Sequence, residues 1–459
     1  MKYLFLFLTV VLLVSVQPVI AKENESSGNQ YLIKYQDKFE LGSIYLETES
    51  DIKVIMSQLG GIEYISQNNQ YRMAVSPNDE LLSSQWYLTK IGATQAWDQS
   101  TGSNDVVIAV LDSGVYIEHP DLYNNIWVNS DEISSNGIDD DSNGYIDDIN
   151  GWDFVGNVAD PSPKFETGWS EAGMSHGTVV AGIAGAIGNN AIGISGINWN
   201  VKIMPVRVLN SSGVGDTNKV YNGIRYAIAN GADFINLSFV GSNNDQVLDD
   251  IIQTAINQNT LVFAAAGNEG VNLNTSPRYP VCSPGVIGVG GTDQNDSIWR
   301  SGNTGSNYGS NCIDIVAPAN NFIGTVLYNP ADNFNNYYLN GWSGTSLSSP
   351  LVAGAAALLK SKNMQSTGQQ LISHIYNLTT KVDSINSGYE GSLGNGRLDI
   401  SGLFDELINL NTPSDIITGP ASSGGPHVRV FDQSGNLKSQ FFAYATTFRG
   451  GIYVSSLPN

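Results

Sequence analysis

From residue 85 onward, apolar runs of strand length alternate with stretches whose apolar residues recur at helical spacing. Residues 106–111, 202–208, 234–237, 261–266 and 286–289 are almost continuously apolar, as strands covered on both faces of a parallel sheet are. Between and after them, residues 177–187, 217–229, 246–257 and 348–360 carry the spacing of helices. Repeated strand–helix alternation predicts an α/β domain with a doubly wound, mostly parallel sheet and helices on both faces. In such a domain ligands bind at the carboxyl ends of the strands.

The flanks follow other patterns. Residues 22–80 are polar, with strand-like stretches at 31–35, 43–46 and 62–65, a helix-like piece at 51–59, and the turn cluster Ser76-Pro77-Asn78-Asp79. They predict a small α+β unit ahead of the main domain, which is assigned to residues 81–405. Residues 412–459 are rich in Gly, Ser and aromatics, with strands expected at 427–431 and 440–444 around Ser434-Gly435. That tail is too short to build a core alone. At the other end, Lys2 precedes an apolar run at 4–16, and Val19-Ile20-Ala21 offers small or apolar residues at a cleavage point. Residues 1–21 therefore read as a secretory signal, against the alternative of a buried N-terminal helix. The run is short for a membrane span, which needs roughly 20 apolar residues, and no other stretch is long and apolar enough. A secreted, extracellular protein is expected, whether free or held at the cell surface.

Composition narrows the partners. With 41% hydrophobic and 14% charged residues the chain can build a substantial core. A net charge of −22 disfavours nucleic acid, whose phosphates it would repel, and suits divalent cations, although a solvated acidic surface accounts for most of it. The two cysteines, Cys282 and Cys312, permit one disulfide in an exported chain; two buried thiols are the alternative. Without a histidine cluster they do not suggest structural zinc.

Four polar residues stand where α/β sites form. Asp112 ends a predicted strand and precedes Ser113-Gly114; alone, it is as well explained by structure. His176 lies in Ser175-His176-Gly177-Thr178, at the opening of a Gly/Ala-rich predicted helix; a satisfied, partly buried histidine is the alternative. Ser346 lies in Gly344-Thr345-Ser346-Leu347-Ser348-Ser349-Pro350, where Pro350 fits the first turn of a helix. A helix N-terminus favours developing negative charge, and a capping serine would sit there too. Asn268, in Ala265-Ala266-Gly267-Asn268, ends another predicted strand and suits either a turn or an oxyanion donor.

Together the four are specific. The order Asp, His, Ser, with the blocks Val110-Leu111-Asp112-Ser113-Gly114, His176-Gly177-Thr178 with Ala181-Gly182, Ala265-Ala266-Gly267-Asn268, Gly344-Thr345-Ser346 with Pro350, and Gly394-Asn395-Gly396-Arg397, resembles the subtilisin-like serine proteases from about Gln85 to Phe404. The resemblance implies an endopeptidase acting on proteins and peptides. Ser346 would be its nucleophile, His176 the base, Asp112 the orienting carboxylate and Asn268 an oxyanion donor. Ser423-Gly424-Gly425-Pro426 resembles the nucleophile loop of trypsin-like enzymes, but lies in the tail without that family's Asp and His blocks. No Gly-x-Ser-x-Gly elbow occurs, which disfavours an α/β-hydrolase.

The same resemblance implies a substrate cleft flanked by Gly213-Val214-Gly215 on one side and Ser238-Phe239 on the other. Phe239-Val240 precede Gly241 where the family has a glycine soon after the serine, a departure at the first specificity pocket. For metal, Asp139, Asp141, Asn143 and Asp147 echo the alternation of a calcium loop around Gly144, without its closing Glu; a solvated acidic loop is the alternative. The resemblance adds a second calcium (Ca2+) site at Asp121 and Asn190, with the carbonyls of Ile192 and Ile194. It also implies that residues 22–80 are a propeptide, the chain's own inhibitor until released by a cut between Gln70 and Gln85. The tail resembles one copy of a β-propeller-like repeat, and a monomer is expected. Two rivals are an inactive relative used for adhesion and a calcium-binding surface protein with an incidental triad.

Overall fold

The computed structural model describes residues 29–35, 41–46, 62–67, 76–404, 416–418, 427–431 and 437–442. The expected signal at 1–21 and the helix-like piece at 51–59 lie outside them. The chain divides into two compact units between Met73 and Ala74.

In the first unit, β1 (Asn29–Tyr35) pairs antiparallel with both β2 (Leu41–Leu46) and β3 (Ile62–Gln67), giving the order β2-β1-β3. The tail of the chain forms another three-stranded antiparallel sheet, Ile416–Thr418, His427–Phe431 and Leu437–Phe442. Its last strand starts three residues before the expected position.

Seven strands make the central sheet. They are β4 (Gly102–Asp112), β5 (Trp152–Asp153), β6 (Asn200–Arg207), β7 (Phe234–Leu237), β8 (Leu261–Ala265), β9 (Ile287–Thr292) and, after the short hairpin β10 (Arg300–Ser301) and β11 (Thr304–Gly305), β12 (Ile315–Pro318). Their order is β12-β9-β8-β7-β4-β6-β5, with every pair parallel. The chain winds outward from β4 in one direction through β6 and in the other through β7, β8 and β9. This is the doubly wound sheet expected from the sequence, and it puts the switch point beside β4.

Side chains of a strand alternate between faces, and the core follows that rule. Val106, Ile108 and Val110 of β4 join one apolar cluster, while Ala109 and Leu111 join the other. In β8, Leu261 and Phe263 face the first cluster, and Val262 and Ala264 the second. After α1 (Trp86–Lys90) and α2 (Ala93–Trp97), the first face is covered by α3 (Glu171–Gly185) and later by α6 (Thr345–Lys362) and α7 (Gly368–Leu378). The second is covered by α4 (Thr217–Ala229) and α5 (Gln246–Asn257). Helices α4 and α5 are amphipathic and capped by Asp216 and Asp245, as surface helices are. Helix α6 is buried for most of its length, and its middle, residues 351–359, reads as nearly unbroken Ala, Leu and Val.

Candidate active site

Asp112 is the last residue of β4 and fully buried. Its Oδ1 accepts from the backbone N–H of Ser113 and lies 2.7 Å from His176 Nδ1. His176 arrives on α3, which starts six residues earlier than its sequence pattern suggests, because Ser170 caps it by accepting from the Gly173 N–H. The imidazole is thus in the second turn, and Gly177 explains the close docking. A Cβ there would sit 2.3 Å from the Gly114 carbonyl oxygen, so only glycine lets α3 pass over the turn that follows Asp112.

With Nδ1 held by the carboxylate, Nε2 is the nitrogen left for a substrate or nucleophile, and 24% of the side chain stays exposed. Burial pulls the imidazole pKa down, but the charge of Asp112 and its hydrogen bond outweigh that and raise it above 6.5.

Helix α6 brings Ser346. Because it begins at Thr345, Pro350 is its sixth residue and not in its first turn; a proline there deprives the Ser346 carbonyl of its usual N–H partner. The Ser238 hydroxyl supplies the replacement, donating to the Ser346 carbonyl at 2.9 Å. The Ser346 hydroxyl in turn donates to the Ser238 carbonyl at 3.1 Å. Ser238, expected only as a cleft wall, is therefore a direct partner of Ser346 just beyond β7.

Asn268 follows β8. Its side-chain oxygen accepts from Thr345 N (2.9 Å) and Thr345 Oγ1 (3.0 Å), leaving the amide NH2 as the free donor. A Cβ on Gly344, whose φ is +144°, would lie 3.1 Å from that nitrogen. The N-terminal turn of α6, with N–H groups that have no partner within the helix, thus adjoins the Asn268 amide.

Gly213, Ser238 and Phe239 line a cleft of about 260 Å³ together with Asp112 and His176. Val214 and Gly215 continue into an adjoining pocket of about 590 Å³, facing Phe239 and Val240. A disulfide joins Cys282 to Cys312 outside the cleft.

Two acidic regions could hold metal. In the loop after β4, carboxylate oxygens of Glu132, Asp139 and Asp141 lie within 4.8 Å of one another. Glu132 was missed because it falls seven residues before the acidic run. Asn143 donates its amide to Asp141 and Asp148. Asp147 is not part of the group; it accepts from the backbone of Asn136 and Gly137. Among the described residues no Lys or Arg forms an ion pair with these carboxylates, so their mutual repulsion fits a cation.

The second region is buried. Asp121 accepts from Asn190 Nδ2 (2.7 Å) and Ile194 N (2.9 Å). Asp79, read from sequence as a turn residue, accepts from the N–H groups of Asn189 and Asn190, each at 2.9 Å. Burial pushes the Asp121 carboxyl up to about 7 despite these donors, and the charge of Asp79 adds to the rise. Two buried carboxylates side by side, with amide and backbone oxygens around them, suit a hard cation with oxygen ligands.

A sheet whose carboxyl edge gathers an Asp–His pair, a helix-borne serine and an amide donor belongs to a narrow class. The subtilase family model matches residues 103–396. Thermitase of Thermoactinomyces vulgaris is 37% identical over 290 residues, covering 62% of this chain and 86% of that protein. A thermophilic serine proteinase of Bacillus sp. strain AK1 is 35% identical, covering 66% of this chain and 64% of that protein. Among solved structures, a protease from Pseudoalteromonas arctica aligns with a TM-score of 0.57 at 31% identity, over 72% of this chain and 99% of that one. The chain belongs to the subtilase family and is a serine-type endopeptidase. Among the described residues no helix is long and apolar enough to cross a membrane.

Proposed function

We propose that this chain cleaves polypeptides through an acyl-enzyme, with Ser346 as nucleophile, His176 as base and then acid, Asp112 as orienting carboxylate and Asn268 as oxyanion donor. The observation that carries it is the 2.7 Å contact between Asp112 and the His176 Nδ1, which leaves Nε2 to take a proton. Rotation of the Ser346 side chain away from the Ser238 carbonyl turns its hydroxyl to that nitrogen. Oγ then bonds to the carbonyl carbon as its proton passes to His176, and the Asn268 amide and Ser346 N–H bind the oxyanion. The C–N bond breaks as His176 returns the proton to the leaving amine. Water, deprotonated by His176, releases the acid and restores the serine.

Calcium is the cation for the regions at Asp121, Asn190 and Asp79 and at Glu132, Asp139 and Asp141; bound there, it would neutralise carboxylates and stabilise the fold. The extracellular destination, the signal at 1–21 and an inhibitory propeptide complete the proposal. The division after Met73 and the bonds from Asp79 to Asn189 and Asn190 favour release at a bond before Asp79, so that this carboxylate stays with the enzyme.

The test is the intact mass of wild type and Ser346→Ala after incubation with calcium. Loss of the first ~70–80 residues by the wild type alone supports a serine nucleophile and a propeptide. If both stay full length, the self-processing reading fails, and labelling of Ser346 by an active-site phosphonate then decides whether the site is active.

A further inference from the structure

Beside the cleft, the loop preceding α3 exposes two large rings. Phe165 and Trp169 are 42% and 43% exposed, and their centroids lie 5.4 Å apart, edge to face. Each also meets Phe334, at 5.8 Å. Phe334 is buried in an apolar nest with Met174 and Leu327, so the exposed pair stands on a packed base. Met174 is two residues from His176, and Ser170, the neighbour of Trp169, lines the same cleft as His176 and Gly213. The aromatic patch therefore borders the proposed cleft through Ser170.

The loop is also fixed in place. Glu166 accepts from Arg207 Nη2 at 2.7 Å and from the Ser211 N–H at 3.0 Å. Arg207 is fully buried, pairs with Asp153 at 2.8 Å and donates to the Ser113 carbonyl at 3.1 Å. The Ser211 hydroxyl donates to the Lys164 carbonyl, and the Ser170 N–H to the Ser211 carbonyl at 2.9 Å. Residues 164–170 are thus tied to the edge that continues into Gly213, and through Ser113 to the turn after Asp112. Although burial pushes the Glu166 carboxyl up, the Arg207 and Ser211 bonds hold it below its ordinary range.

Two adjoining exposed rings on a rigid support make a contiguous apolar patch, and such patches mark binding surfaces. We propose that Phe165 and Trp169, seated on Phe334, form an additional subsite that holds an apolar or aromatic side chain of the polypeptide being cut. Glu166 is its positioning residue, acting through Arg207 and Ser211. The inference rests on the proposed active site and extends the area over which it grips substrate.

The experiment uses matured enzyme and Trp169→Ala, Phe165→Ser and Glu166→Gln variants; the two ring positions are exposed, so their variants should fold. Quenched-fluorescent peptides carry a single Phe moved through the positions flanking the cut bond, with Ser as reference. A small nitrophenyl ester, which reaches only the nucleophile and oxyanion donors, is the control. The expected result is a wild-type preference for Phe of about ten-fold in kcat/KM at one position, within the range for apolar pockets. The preference is lost in the ring variants and weakened through KM in Glu166→Gln, with ester turnover within about two-fold of wild type. An unchanged preference at every position overturns the subsite, as does ester turnover falling in step with peptide turnover. A wild type that cuts the ester and no peptide overturns the endopeptidase reading and the subsite with it, and is distinguishable from both.

Discussion

The carboxyl edge of the sheet and the acidic loop at 129–148 both gather polar side chains, yet they are built in opposite ways. At the edge each group meets a partner far along the chain: Asp112 with His176, Ser238 with Ser346, Asn268 with Thr345. Those pairings use up one end of each side chain and leave the other, His176 Nε2 at the cleft and the Asn268 NH2 beside the start of α6. In the loop most partners are local, as when Glu132 accepts from the backbone N–H groups of Asp140, Asp141 and Asp147, and its carboxylate lies among those of Asp139 and Asp141, charges of one sign. The first arrangement orients groups for bond-making. The second stores charge that a cation would release. Loss of a group at the edge should therefore cost rate at constant stability, and loss in the loop the reverse.

The largest effect expected is at Ser346. Ser346→Ala, freed of its N-terminal segment by added wild-type enzyme, should lower kcat on a peptide substrate by about 10⁶-fold, the scale for removing a triad nucleophile, with a melting curve matching that of the processed wild type. If its stability falls with its rate, the contrast fails at its strongest point. Asp112→Asn comes next, at about 10⁴-fold in kcat, and it carries a pH signature. As the proposed base, His176 must be neutral, so activity should fall as pH drops through its pKa, which Asp112 holds above 6.5. Without that charge, burial alone remains and depresses the imidazole, so the acidic limb of kcat/KM should move to lower pH. Asn268→Ala should cost about 10²–10³-fold in kcat and leave the limb where it is.

What was legible in the sequence followed from locality. The strands of the sheet and the four residues at its edge stand in short blocks whose composition is dictated by near neighbours: a buried strand, a tight turn, a helix start. The doubly wound order followed from their alternation. The start of α3 was misplaced because Ser170, a capping residue, outweighs the glycines that suggested a later beginning. Pro350 was placed a turn too early because its compensation, the Ser238 hydroxyl, comes from 108 residues away. Asp79 was missed for the same reason, since its partners at Asn189 and Asn190 are about 110 residues on. Glu132 fell outside a window drawn around consecutive aspartates, although the fold returns it to them.

The loop gives the next prediction. Chelation should lower the stability of the folded enzyme by about 3 kcal/mol if the cation had been present at a hundred times its Kd, seen as a fall of several degrees in Tm. Glu132→Gln should weaken that response, because it removes one of the three clustered charges, while ester turnover of the calcium-loaded variant stays near that of wild type. Turnover falling with Tm intact would reverse the contrast between the two regions.

The smallest effect concerns the choice of substrate. Ser238 and Ser346 are bonded to each other and Asn268 follows Gly267; under the proposed mechanism the side chain next to the attacked carbonyl is expected to enter between the segments at 238–240 and 265–268. Val240 narrows the gap between these segments, its methyl 3.1 Å from where a Cβ on Gly267 would be. A branched side chain at the rim leaves room for small groups and turns large ones away. Val240→Gly should then raise kcat/KM for a peptide with Phe before the cut bond by about ten-fold over one with Ala, the scale of a few methylenes in an apolar pocket. Hydrolysis of a small ester should not change, since the triad and Asn268 are untouched. A ratio of Phe to Ala that stays at its wild-type value would place the narrow point elsewhere along the cleft, with Phe239 as the nearest remaining side chain on that wall.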